Sequence, residues 1–145
     1  MGAGVTGTAM TDHGLVLSSW HISQMEAHVN SCSPEEGCGL LAGVGQQVEL
    51  TIPITNQLHS PVRYNMKPEE LVRAFYDLEA RGLEMLASFH SHPSGPDTPS
   101  ETDIHEFAYP GTFMLIWSGA TLGWQVKGFE VYPNFYHEIE LRITN

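Results

Sequence analysis

Cations are scarce in this chain: six Lys plus Arg stand against seventeen Asp plus Glu among 145 residues, a formal net charge of −11 at pH 7. A phosphate backbone or an anionic lipid surface is gripped by clustered Lys and Arg, so nucleic-acid and membrane-surface binding are both disfavoured. No apolar run approaches the roughly 18 residues of a spanning helix. Cysteine occurs only at Cys32 and Cys38, too few for a disulfide framework. The opening MGAGVTGTAM carries neither a charged n-region nor a following apolar stretch, so secretion is not indicated and a cytoplasmic location is expected. Hydrophobic residues nonetheless make up 41% and charged residues 16%, enough to build a core at this length.

Residues 1–12, small, polar and Gly/Thr-rich, read as a flexible leader, with a single domain expected over 13–145. LVLS (Leu15 to Ser18) suggests a short strand, after which Ser19 could cap a helix with Ile22, Met25, Val29 and Cys32 on one face. CGLLAG from Cys38 and VELTIPIT from Val48 read as paired strands, Pro53 making the later half of the second an edge. Pro68, Glu69 and Glu70 mark a helix start, Leu71, Phe75 and Leu78 an apolar face, and Gly82 its end. LEMLASFHSH, FMLIWS, LGWQVKGFEV and HEIELRI complete the set of strands, with a short helix from about Glu101 to Ala108. The interleaving lacks regular βαβ spacing and predicts an α/β or α+β fold, a mixed sheet flanked by helices.

The chemistry concentrates in FHSHPSGPDTPSETD, Phe89 to Asp103. His90 and His92, two apart on a strand, project from one face while Ser91 points away. Two imidazoles there can converge on one cation, and Asp103 can fold back across the Pro/Gly loop as a third ligand. Two His and a carboxylate leave a tetrahedral ion one open position, the arrangement of catalytic rather than structural zinc, and a water there would be acidified toward a pKa of roughly 7. Each part has a plainer explanation. An isolated HxH pair is more often packed or exposed, and Ser100-x-x-Asp103 alone is an ordinary helix capping box. Their joint spacing favours the metal.

His90-Ser91-His92-Pro93, Ser100 seven positions after the proline, and Asp103 resemble the JAMM (MPN+) metalloprotease motif. Upstream, SPEEGCGLLAG is similar to the same family's P-x-E-x-C-G-L-L-x-G signature and aligns its glutamate with Glu36, Glu35 taking the variable position. The likeness runs from about Leu15 to Val131. It implies a cytidine-deaminase-like MPN domain in which His90, His92 and Asp103 hold one Zn2+. Glu36 would serve as general base and then acid, and Ser100 would donate to the carbonyl oxygen as charge develops. The substrate implied is a peptide or isopeptide bond after the C-terminal Gly-Gly of a ubiquitin-like or sulfur-carrier protein. Only about four residues separate Ala108 from Phe113, so the chain resembles a minimal prokaryotic member.

Other readings stay open. The loop is also similar to RadC-type proteins, although no helix-hairpin-helix region precedes it. An inactive binding module, a structural zinc protein and a homodimer are not excluded by the residues, and iron or manganese could occupy the same ligands. Cys32 and Cys38, six apart without a CxxC, read as packed thiols, with Cys38 as a nucleophile and His90 as its base a formal alternative. Asp97 is explained by turn formation, although it could be a spare ligand. Trp20, Trp117 and Trp124 are expected in core or rim, and His59, Tyr64 and Asn65 lie where a substrate tail could dock.

Overall fold

The computed structural model describes residues 14–145, and the expected leader at 1–12 lies outside them. The described residues form β1 (Gly14–Ser18), α1 (Ser19–Cys32), β2 (Cys38–Val44), β3 (Gln47–Ile54), α2 (Pro68–Arg81), β4 (Glu84–His92), α3 (Glu101–Glu106), β5 (Phe113–Ser118), β6 (Gln125–Val131) and β7 (Tyr136–Thr144). Each of the seven segments read as a strand is one, and they are joined in the order β1-β3-β2-β4-β5-β6-β7. β1 pairs in parallel with β7 over its whole length, Gly14 opposite Glu140 to Ser18 opposite Thr144. It meets β3 at Val16–Gln47 alone, and together these ladders close the mixed sheet into a barrel. The outer side of β3 beyond that pair has no strand neighbour, which is where Pro53, lacking an N–H to donate, is tolerated.

The two faces of the sheet bury different clusters. Leu41, Ala87, Phe89, Leu115 and Trp117 face one way with Met25 and Val29 of α1. Cys38, Leu40 and Ile54 face the other and are covered by Ala74 and Leu71 of α2. Met114, Ile116 and Phe129 on that same side are covered by Ile104 and Phe107 around α3. Alternation along β4 thus sends Phe89 to the α1 face and His90 and His92 to the side where α2 and α3 lie.

Several local expectations shift by a residue or a face. Ser18, in extended backbone, caps α1 in place of Ser19; its Oγ accepts the His21 N–H, and His21 Nδ1 accepts the Ser18 N–H. In α2 the buried positions are Ala74 and Leu78, while Phe75 stays 38% exposed. A helix turns about 100° per residue, so the stripe through Leu71, Ala74 and Leu78 leaves Phe75 to one side, where its ring meets Tyr109 at 6.2 Å. Gly82 ends α2 at φ 70, the left-handed conformation that glycine adopts without a Cβ penalty. Trp117 is core and Trp124 is half-buried, donating to Asn30 Oδ1 at 3.0 Å, whereas Trp20 is exposed.

Candidate metal centre

The C-terminal end of strand β4 and the first turn of α3 bring His90, His92 and Asp103 together. His90 Nε2 and His92 Nε2 lie 3.1 Å apart, and each is 3.0 Å from Asp103 Oδ2. All three residues are buried, His90 completely. Asp103 reaches them because α3 starts at Ser100: its N–H donates to Ser100 Oγ at 3.0 Å, and the Ser100 N–H donates to Asp103 Oδ2 at 2.9 Å. The capping box and the approach to the imidazoles are therefore one arrangement, so the plain reading of Ser100 and Asp103 does not compete with the chemical one.

The donor set fits a small divalent cation. His92 Nδ1 donates to the Pro96 carbonyl at 2.8 Å, which leaves a lone pair on Nε2 of the neutral ring. That lone pair faces a carboxylate oxygen and a second imidazole nitrogen, a repulsive grouping unless a cation lies among them. The triangle's sides of 3.0, 3.0 and 3.1 Å are slightly tighter than the roughly 3.3 Å between ligands of a tetrahedral ion with bonds near 2.0 Å. Burial alone would raise Asp103, but the close approach of His90 and His92 holds its carboxyl far below the usual carboxylate range. Burial pushes His90 down, whereas on His92 the Asp103 carboxylate and the Pro96 carbonyl outweigh burial and carry the ring upward.

Glu36 stands beside this cluster, with a carboxylate oxygen and the ligand nitrogens of both histidines all within 4.8 Å of one another. That places Glu36 within reach as a metal ligand as well, whereas Asp103 is the carboxylate within 3.0 Å of both rings. Glu36 is 4% exposed, and its Oε1 has no hydrogen-bond partner. Burial pushes its carboxyl up to about 8, against the pull of His92, with Asp103 adding to the rise. A carboxyl so placed can hold or release a proton near neutral pH.

Two residues that sequence reasoning passed over hold Glu36 in place. Ser91, on the opposite face of β4 from the histidines, accepts the Gly37 N–H on its Oγ at 2.8 Å, and its own N–H donates to the Gly37 carbonyl at 3.0 Å. Asn56 is 5% exposed and uses its whole amide. Its Nδ2 donates to the Glu36 carbonyl at 3.0 Å and the Arg63 carbonyl at 3.1 Å, and its Oδ1 accepts the N–H groups of Leu58 and Asn65, both at 3.1 Å. No spacing rule marks a buried loop asparagine; the only trace in sequence is a turn-forming residue directly after an apolar strand.

A groove of about 540 Å³ opens onto Asp103 between the 62–66 segment and the stretch from Thr102 to Tyr109. Tyr64 and Asn65 line it, while His59 lies outside, 67% exposed on its side chain and 3.2 Å from Glu35. Asp97 is no ligand: it pairs with Lys127 at 2.8 Å. Nor does Cys38 suit a nucleophile, since its buried Sγ donates to the Ile54 carbonyl and burial pushes the thiol up to about 12. Cys32 and Cys38 are both free thiols.

Paired imidazoles, a carboxylate and a second carboxyl able to keep its proton make up the working parts of a metal-dependent hydrolase. The family model described as prokaryotic homologues of the JAB domain matches residues 18–131, and the chain belongs to that family. It is 43% identical over 106 residues to a probable TtuB-protein conjugate cleaving protease of Thermus thermophilus, covering 71% of each. A desampylase of Pyrococcus furiosus is 41% identical over 76 residues, 52% of this chain and 54% of that protein. A CysO-cysteine peptidase of Mycobacterium tuberculosis is 31% identical over 108 residues, 73% of this chain and 74% of that protein. Among solved structures, a Desulfitobacterium hafniense protein superposes with a TM-score of 0.81 at 32% identity, covering 90% of this chain and 93% of that one. A JAB1/MPN domain protein of Archaeoglobus fulgidus shares the fold at a TM-score of 0.59 and 19% identity, covering 90% and 97%. No helix among the described residues is long and apolar enough to cross a membrane.

Proposed function

We propose that residues 13–145 form a zinc-dependent hydrolase that cuts the amide bond following the C-terminal Gly-Gly of a ubiquitin-like or sulfur-carrier protein, acting in the cytoplasm. The observation that carries this reading is the buried triangle of His90, His92 and Asp103 with the unpartnered Glu36 carboxyl beside it. The three residues of the triangle hold the metal, and imidazole with carboxylate suits zinc. Bound there, zinc supplies a Lewis acid that makes a water available as a nucleophile near neutral pH.

The remaining work falls to the chain. Glu36 takes the proton of the attacking water and delivers it to the leaving amine, a cycle that suits a buried carboxyl whose Oε1 has no other hydrogen-bond partner. Ser100 Oγ accepts the Asp103 N–H, which leaves its own proton free to donate to the scissile carbonyl oxygen as charge develops. The groove beside Tyr64 and Asn65 takes the tail in extended form, where glycines let the backbone come close. The site residues come from one chain, so a homodimer is not required for the chemistry. The relative at 43% identity is named for cleaving TtuB-protein conjugates, which favours an isopeptide bond over release of a single amino acid.

The test uses one zinc-loaded sample and two substrates: a Gly-Gly-tailed carrier joined to a lysine of a second protein, and the same carrier extended by one residue. Intact mass is read with and without chelator. Chelator-sensitive release after Gly-Gly is the expected result. Stoichiometric zinc with every extended carrier bound but uncut would overturn the hydrolase in favour of a binding module.

A further inference from the structure

His92 and His90 are oriented by different means. His92 fixes its ring through the hydrogen bond from Nδ1 to the Pro96 carbonyl. His90 Nδ1 is buried and has no hydrogen-bond partner, and the residue is 0% exposed, so bulk solvent does not supply one. A metal-binding histidine usually donates its second ring nitrogen to a carboxylate, a carbonyl or a water, and that bond sets the ring's angle. What meets the His90 ring instead is Tyr64, stacked with centroids 4.3 Å apart and planes 25° from parallel. His92 closes against it edge-on at 4.9 Å. Cys38, directly across the ladder from His90, is committed to the Ile54 carbonyl.

We propose that Tyr64 is a positioning residue for His90, its ring face standing in for the missing hydrogen bond and holding Nε2 toward the metal. The inference rests on the zinc reading above. Rotation of an imidazole about its last side-chain torsion is soft, with broad preferences, and a parallel ring in contact restricts it. Tyr64 can serve as a fixed wall because the chain on both sides of it is pinned by Asn56, through the Arg63 carbonyl and the Asn65 N–H. The ring also packs against the cluster of Cys38, Leu40, Ile54 and Met66 beneath α2. The same Asn56 amide holds the Glu36 carbonyl, so one buried side chain sets both the base and the wall behind a ligand.

The ring face, not the hydroxyl, is the operative part, which separates this role from general packing. Zinc affinity of the intact chain is measured by competition with a chromophoric chelator, and the Co2+-substituted protein by its visible absorption. Tyr64→Phe binds within about twofold of wild type, whereas Tyr64→Leu weakens affinity by about 10–100-fold, the range for losing an outer-shell orienting contact. The cobalt bands change in the Leu variant and not in the Phe variant. Should Tyr64→Leu fail to fold by circular dichroism, Tyr64→Met, which fills the space without a ring, carries the same expectation. Ring-free variants that bind zinc as wild type does, with unchanged cobalt bands, would overturn the inference alone. So would a Phe variant as weak as the Leu variant. A wild-type chain that takes up neither metal would overturn the zinc reading with it.

Discussion

Replacing Glu36 by Gln keeps the side chain's size while removing a group whose proton affinity depends on folding. Burial raises the Glu36 carboxyl from its ordinary 4.5 to about 8 in the metal-free protein. Between those values the folded chain holds a proton that the unfolded chain has released, so stability falls as pH rises through that window. At pH 7 the gap is about 2.5 units, and at 1.36 kcal/mol per unit folding bears a cost of about 3 kcal/mol that glutamine escapes. For a domain of this size each kcal/mol moves Tm by roughly 2–4 °C, so metal-free Glu36→Gln should melt about 6–12 °C above wild type at pH 7. Near pH 4.5 the two should nearly coincide. Scanning calorimetry on chelator-treated protein from pH 4.5 to 8 checks this. A difference in Tm that stays flat across the range would refute the raised carboxyl and, with it, the argument for Glu36 as a proton carrier.

Further outcomes follow from the same geometry. Glu36→Gln retains zinc yet loses turnover by about 10²–10⁴-fold, the usual contribution of a positioned acid or base, as read from initial rates on an extended carrier. His90→Ala abolishes stoichiometric zinc in elemental analysis, because two of the three donors cannot close the site. Asn56→Ala strands the Glu36 and Arg63 carbonyls and the Leu58 and Asn65 N–H groups, and lowers stability by about 2–3 kcal/mol in a urea titration. Cys38→Ala leaves turnover within a fewfold of wild type; loss of all activity there would revive the thiol alternative.

The proposed ligand set could be read from sequence because its parts obey short-range rules. His90 and His92 share a face by strand alternation, and Ser100 and Asp103 are tied by a helix start, so spacing alone carries the pattern. Glu36 lies 54 residues upstream of His90 and was legible only through the resemblance of SPEEGCGLLAG to a family signature. Ser91, Asn56 and the Tyr64–His90 stack follow from long-range pairing: β2 beside β4, and the 56–66 bridge folded over both. Periodicity located the elements but not the closure of the barrel, which depends on β1 meeting β7 across more than a hundred residues. Leu71, Phe75 and Leu78 fit one apolar face by spacing, but Ala74 takes the buried position and Phe75 lies to its side.

The most direct test of the account is zinc content and cleavage measured on the same preparations of wild type, Glu36→Gln and His92→Ala. One zinc per chain in wild type and Glu36→Gln, little or none in His92→Ala, and release after Gly-Gly by wild type alone is the predicted result. Wild-type rates from Glu36→Gln, or cleavage by chelator-stripped protein, would contradict it.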